Sequence, residues 1–124
     1  GNAATTAEHA IALMFAAARH VAKAHMELKQ GTWNRKAWTG TELEGKTLGV
    51  VGLGNVGAIV AKRGLGLGMR VVGFDPYVSK ERGNEMGIEL ANGARLNSLP
   101  ARAPRGRARS RPSSPRARRR GPRR

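Results

Sequence analysis

Six consecutive residues, Gly52-Leu53-Gly54-Asn55-Val56-Gly57, constrain this chain more than any other feature. They follow the pattern G-x-G-x-x-G, which is weak alone and informative only in context. The context here is complete. Residues 47–51 (TLGVV) before it read as a short buried strand, and residues 55–67 after it can form a helix. Residues 70–74 (RVVGF) read as a second buried strand, and Asp75 ends that strand 23 residues after Gly52. Strand, glycine turn, helix, strand and acid in this order predict an α/β fold, a partial doubly wound parallel sheet of the Rossmann type.

Each residue type has a physical reason. Gly52 permits the tight turn out of the strand, Gly54 lets a pyrophosphate approach the backbone, and Gly57 lets the helix pack close to the sheet. The helix N-terminus, at Asn55 and Val56, offers unpaired amides and a partial positive charge to phosphates. The Asp75 carboxylate suits the two hydroxyls of an adenosine ribose, and its charge opposes a 2′-phosphate. NAD is therefore expected over NADP. Two blander readings stay open. The glycines could form a turn that holds no ligand, and Asp75-Pro76 could be a simple turn starter.

The flanking segments fit this frame. Residues 5–29 read as one long helix, with Thr5 and Glu8 as a capping box and Ile11, Phe15, Ala18, Ala22 and Met26 as an apolar stripe. Gly31 suits the left-handed position that ends a helix. Residues 31–44 are a polar connection with Trp33 and Trp38, and a loop tryptophan usually packs back onto something. Gly64 and Gly66 should each cost the second helix about 1 kcal/mol relative to Ala. Residues 79–86 suggest a short helix, and residues 88–90 the start of a third strand.

Charge divides the chain. The formal net charge is +15, yet all eight acids lie between Glu8 and Glu89. The last 25 residues hold 11 Arg and no acid. Three segments follow: residues 1–30 as a helix, 31–95 as a partial nucleotide-binding unit, and 96–124 as an Arg/Pro-rich tail expected to be disordered. The tail has two readings. Residues 102–124 could bind nucleic acid or another polyanion through salt-sensitive phosphate contacts. The composition also suits a shifted reading frame in a GC-rich gene, and that is the preferred reading.

Several function classes fall away. With no cysteine, disulfides and thiolate metal sites are excluded. His9, His20 and His25 lack the i, i+4 spacing of a helical metal site, so no metal ligands are expected. Residues 40–47 (GTELEGKT) match the P-loop pattern literally, but a strand rather than a helix should follow Lys46-Thr47. No apolar run approaches the roughly 18–20 residues that span a bilayer, and no secretory signal opens the chain. A cytoplasmic protein is the expectation. Gly1 and Thr5 fit part of a lipidation signal, which an ordinary chain edge explains as well.

Residues 40–79 (GTELEGKTLGVVGLGNVGAIVAKRGLGLGMRVVGFDPYVS) resemble the D-isomer-specific 2-hydroxyacid dehydrogenases. Residues 1–19 (GNAATTAEHAIALMFAAAR) resemble that family's interdomain helix, and the likeness extends to about residue 90. The resemblance implies two Rossmann-like domains around a cleft, NAD as cofactor, a D-2-hydroxyacid substrate and a homodimer formed through the nucleotide-binding domain. It implies that Asn55 and Val56 lie at the pyrophosphate, where Arg-Ile is commoner, and that Asp75 lies at the adenosine ribose. The family's catalytic Arg, Glu and His correspond to no position here, so no catalytic residue is assigned and no turnover by this chain is expected. Residues 96–103 (LNSLPARA) echo a family helix, LDELLARA, so the family pattern is expected to break between Ala91 and Pro104. Two other hypotheses stand beside it: polyanion binding by the tail, and a noncatalytic fragment that dimerises through the Ala-rich helix and Trp33.

Overall fold

In a computed structural model, which describes residues 1–92, the chain forms a parallel sheet backed by helices. The elements run α1 (Ala3–Ala18), α2 (Val21–Lys29), β1 (Thr47–Val51), α3 (Asn55–Gly66), β2 (Arg70–Phe74), α4 (Lys80–Glu85) and β3 (Glu89–Leu90). The sheet order is β1-β2-β3, with both pairings parallel. Thr47 to Val51 pair in register with Arg70 to Phe74, and Val72 and Gly73 pair with Glu89 and Leu90. Expectations for residues 93–124, including the basic tail and the boundary at 95–96, lie outside the described residues.

The expected strands and the helix after the glycine turn form within a residue or so of their sequence-derived limits. The reason is local. β1 and β2 are short apolar runs that must be buried, and the central strand β2 carries the largest fully buried side chains, Val71 and Val72. Val50, Leu53, Ala61, Val71 and Ile88 make the core, with Leu48, Val60, Leu65, Val78, Met86 and Leu90 packed around it.

Two helices end in the same way. After α3, Gly68 takes φ +71°, the Gly68 N–H donates to the Leu65 carbonyl, and the Met69 N–H donates to Gly64. After α4, Gly87 takes φ +71°, its N–H donates to Asn84, and the Ile88 N–H donates to Gly83. This double bond pattern is a Schellman cap, which requires a left-handed residue and is followed by an apolar one. Met69 and Ile88 are those apolar residues, and both are buried. Each cap thus turns a helix straight into the next strand. Gly31 ends α2 with the same bond pattern, as expected, but a loop follows it and not a strand.

Gly64 earns its place through packing. A Cβ there would lie 2.7 Å from Leu48 Cδ2 and 3.2 Å from Val71 Cγ2. Its absence lets α3 lie close on β1 and β2, which offsets the poor helix propensity. A Cβ at Gly66 would meet nothing within 4 Å, so no packing reason applies there.

The N-terminal helix departs from expectation in three ways. It is two helices, because His20 sits between them in the left-handed region (φ 55°, ψ 32°). The returning loop explains the break. The Thr41 N–H donates to the Ala18 carbonyl at 2.8 Å, which a continuous helix would offer to residue 22. A Cβ at Gly40 would lie 2.6 Å from that same carbonyl oxygen. Trp38 completes the clasp: its Nε1–H donates to Glu27 Oε2 at 2.6 Å, and its ring lies 5.8 Å from that of His20.

The second departure is the cap. α1 starts at Ala3, so Thr5 lies inside it, and Glu8 pairs with Arg63 of α3 at 2.9 Å instead of reaching back. An ion pair between helices has replaced the local capping box. The third is the apolar stripe, which is not sequestered. Ala7 is buried, whereas Phe15 and Met26 are exposed and α2 buries no residue. The kink turns α2 away from the α1–α3 contact, so its apolar residues stay open. Trp38 packs back as a loop tryptophan should; Trp33 is 73% exposed. Among the described residues no helix is long and apolar enough to cross a membrane.

Candidate functional site

The site forms where β1 ends, α3 begins and β2 ends. Gly52 leaves β1 at φ +86°, a conformation that disfavours any side chain, and its N–H donates to the Phe74 carbonyl at 2.8 Å. A Cβ on Gly57 would lie 1.9 Å from the Gly52 carbonyl oxygen and 3.4 Å from Val50 Cγ1. Gly57 is therefore required by the turn's own backbone. Sequence reasoning assigned it to helix–sheet packing, which is the smaller part of the answer.

Gly54 is different. It is extended (φ −68°, ψ −161°), and a Cβ there would meet nothing within 4 Å. Nothing among the described residues demands a glycine there. Open space beside its backbone is what a pyrophosphate requires for close approach.

The first intrahelical bond of α3 is Ala58 N–H to the Gly54 carbonyl, at 2.9 Å. The amides of Asn55, Val56 and Gly57 precede it, so the helix supplies them with no acceptor. Among the described residues no side chain caps this end, and its first turn holds no acid. Amide hydrogens and the helix dipole together make a positive, anion-accepting end. A cavity of about 570 Å³ adjoins it, lined by turn residues Gly52, Gly54, Asn55, Val56 and Gly57 and by β1 residues including Val51.

Asp75 lies just past β2, half-buried. Its Oδ1 accepts the Tyr77 N–H at 2.9 Å, and its Oδ2 accepts the Leu53 N–H at 2.8 Å. The Leu53 amide chiefly, and the Tyr77 amide after it, hold the carboxyl below its ordinary pKa, with burial opposing them. The Tyr77 bond makes a local turn, and the Leu53 bond brings the acid to the glycine turn. Each carboxylate oxygen keeps a further lone pair for a ligand hydroxyl.

The structure thus brings all six candidate residues together: Gly52, Gly54, Asn55, Val56, Gly57 and Asp75. Sequence reasoning overlooked Leu53. Its side chain is buried, and its Cδ1 lies 2.8 Å from where a Gly73 Cβ would be. The signal was available, since a Leu between two glycines of a surface turn is a poor solvent-facing residue.

The other motifs do not assemble. β1 follows Lys46 directly, so the P-loop pattern has no helix after it. Among the described residues no three metal-ligating side chains cluster. The polyanion hypothesis concerns residues outside that range.

Comparison with known proteins agrees with this geometry. The model of the D-isomer specific 2-hydroxyacid dehydrogenase NAD binding domain matches residues 11–102. D-3-phosphoglycerate dehydrogenase of Archaeoglobus fulgidus is 54% identical over 92 residues, covering 74% of this chain and 18% of that protein. The Mycobacterium tuberculosis enzyme of the same name is 48% identical over 102 residues, 82% of this chain and 19% of that protein. The chain spans under a fifth of the length of these relatives. Among solved structures, the apo D-lactate dehydrogenase of Escherichia coli matches with a TM-score of 0.62 and 35% identity, over 69% of this chain and 27% of that one. The Aquifex aeolicus D-lactate dehydrogenase, complexed with NAD and lactic acid, matches with a TM-score of 0.61 and 28% identity, over 68% of this chain and 26% of that one.

Proposed function

Because the chain belongs to the D-isomer specific 2-hydroxyacid dehydrogenase family, we propose that it is the NAD-holding part of a D-3-phosphoglycerate dehydrogenase-like oxidoreductase. Gly52, Gly54, Asn55, Val56 and Gly57 hold the pyrophosphate, and Asp75 takes the adenosine ribose hydroxyls. NAD held there would supply the acceptor for the hydride that leaves C2 of a D-2-hydroxyacid. No residue of this chain is assigned to the proton transfer. Residues 1–30 are the interdomain segment and 31–95 the partial nucleotide-binding unit. A cytoplasmic location belongs to the same reading and rests on the metabolic role it assigns.

The observation that carries this is the convergence at Leu53. There the acid from the end of β2 meets the glycine turn at 2.8 Å, beside three helix amides without intrahelical acceptors. A second copy of the chain is the other proposed partner. Its support is the exposure of the apolar side chains Leu13, Met26, Leu28 and Trp33, which are 53–73% exposed, and the dimeric habit of the family.

Calorimetric titration of the 124-residue chain tests the cofactor assignment. NAD should bind, and more tightly than NADP. No heat with NAD, or a preference for NADP, would overturn it. Analytical ultracentrifugation tests the pairing, and a monomer throughout the micromolar range would remove it.

A further inference from the structure

The glycine turn is tethered to the end of β2 at three points. The Gly52 N–H donates to the Phe74 carbonyl at 2.8 Å. The Leu53 side chain, 6% exposed, fills the space over Gly73. The Leu53 N–H donates to Asp75 Oδ2 at 2.8 Å. The first tether is backbone and the second is apolar packing, so neither depends on residue 75. The third is a side-chain bond to an ionised acceptor, the stronger class of hydrogen bond.

We propose that Asp75 is a positioning residue for the phosphate-binding turn, holding the Leu53 amide and so setting the path of Gly54 whether or not a ribose is bound. The inference rests on the proposed reading of Gly52–Gly57 as the pyrophosphate site.

Three features support it. The carboxylate is fixed at both ends, because Tyr77 holds Oδ1 while Leu53 holds Oδ2. Leu53 lies between Gly52 and Gly54, whose Cβ positions both face open space, so the Leu53 peptide governs where the phosphates meet backbone. Finally, Oδ2 is an acceptor of fixed direction. An Asn at 75 keeps one acceptor oxygen and turns an NH₂ donor toward the other amide, so two bonds cannot both survive.

The consequence separates this role from ribose binding. A ribose acceptor matters only to a ligand with ribose hydroxyls, whereas a positioning residue matters to every ligand that uses the turn. The probe is an NAD analogue whose adenosine carries a 2′,3′-dideoxyribose, titrated calorimetrically into the full 124-residue chain and its Asp75→Asn variant. The variant should lose roughly tenfold in affinity for the analogue, the low end expected for a bond to a charged group. Wild-type affinity for the analogue should also fall as pH drops through the Asp75 titration, and the variant should show no such fall.

A second measurement needs neither ligand nor variant. In the free wild-type chain, the Leu53 and Tyr77 amide resonances should follow one shared acid titration, and the Leu53 amide should be protected from hydrogen exchange. Equal affinity of both proteins for the analogue, or a Leu53 amide that neither titrates nor resists exchange, overturns the positioning role. Failure of the wild-type chain to bind NAD at all overturns the pyrophosphate reading instead.

Discussion

A side chain on Gly57 would drive its Cβ to 1.9 Å from the carbonyl oxygen of Gly52, five residues earlier in the same turn. Gly54, between them, faces open space. The two glycines should therefore fail differently. Gly57→Ala should destabilise the chain by about 1–3 kcal/mol, the usual cost of overpacking. Gly54→Ala should leave stability within about 0.5 kcal/mol and still weaken NAD binding. Urea unfolding of both variants, paired with NAD titration, checks this. A stable Gly57→Ala chain would contradict the geometry.

Asp75→Ala should weaken NAD by roughly 10- to 150-fold, since it removes bonds to a charged acceptor. NADP should lose less, because the same change relieves repulsion of the 2′-phosphate. Calorimetry with both cofactors on both proteins decides the point. Equal losses would mean that Asp75 shapes the turn without touching the ribose.

Acid should expose the same carboxylate in unfolding experiments. Its folded-state pKa lies below the ordinary value of 3.8 because the Leu53 and Tyr77 amides favour the charged form. Its stabilising contribution is therefore complete above that value and is lost as pH falls through the lower, folded-state pKa. The stability difference between wild type and Asp75→Asn should be constant above about pH 4.5 and should shrink below 3.8. A difference that grows toward acid would reverse the sign and refute the assignment.

The clasp on the α1–α2 break gives a fourth test. Trp38→Phe removes the bond to Glu27 and keeps a ring near His20. The loss should cost about 1–2 kcal/mol in urea unfolding, as expected when a charged acceptor loses its donor. Glu27→Gln retains an acceptor and should cost less. Identical costs for the two variants would show that the clasp is held by ring packing alone.

The edge that β1 presents among the described residues gives a fifth. Val51 is 75% exposed, and among the described residues β2 alone pairs with its strand. An exposed apolar strand edge promotes association, and an edge lysine opposes it. Val51→Lys should reduce concentration-dependent light scattering with a stability change within about 0.5 kcal/mol. Unchanged scattering would place the association elsewhere.

What the sequence alone determined is whatever rests on neighbours along the chain. TLGVV and RVVGF are apolar runs too short for helices, and Gly31 and Gly52 stand where the chain must turn left-handed. The order of strand, turn, helix, strand and acid marked the candidate site residues that the fold brings together, because parallel pairing joins the ends of β1 and β2. Tertiary contacts decided the rest. The break at His20 depends on a loop that returns some twenty residues later and takes the Ala18 carbonyl at Thr41. Glu8 left its local cap for Arg63, 55 residues away, and Leu53 became an anchor only because Asp75 and Gly73 arrive beside it. Local patterns report the preferences of a backbone segment, but a carbonyl, carboxylate or amide commits to whichever partner the folded chain brings within about 3 Å.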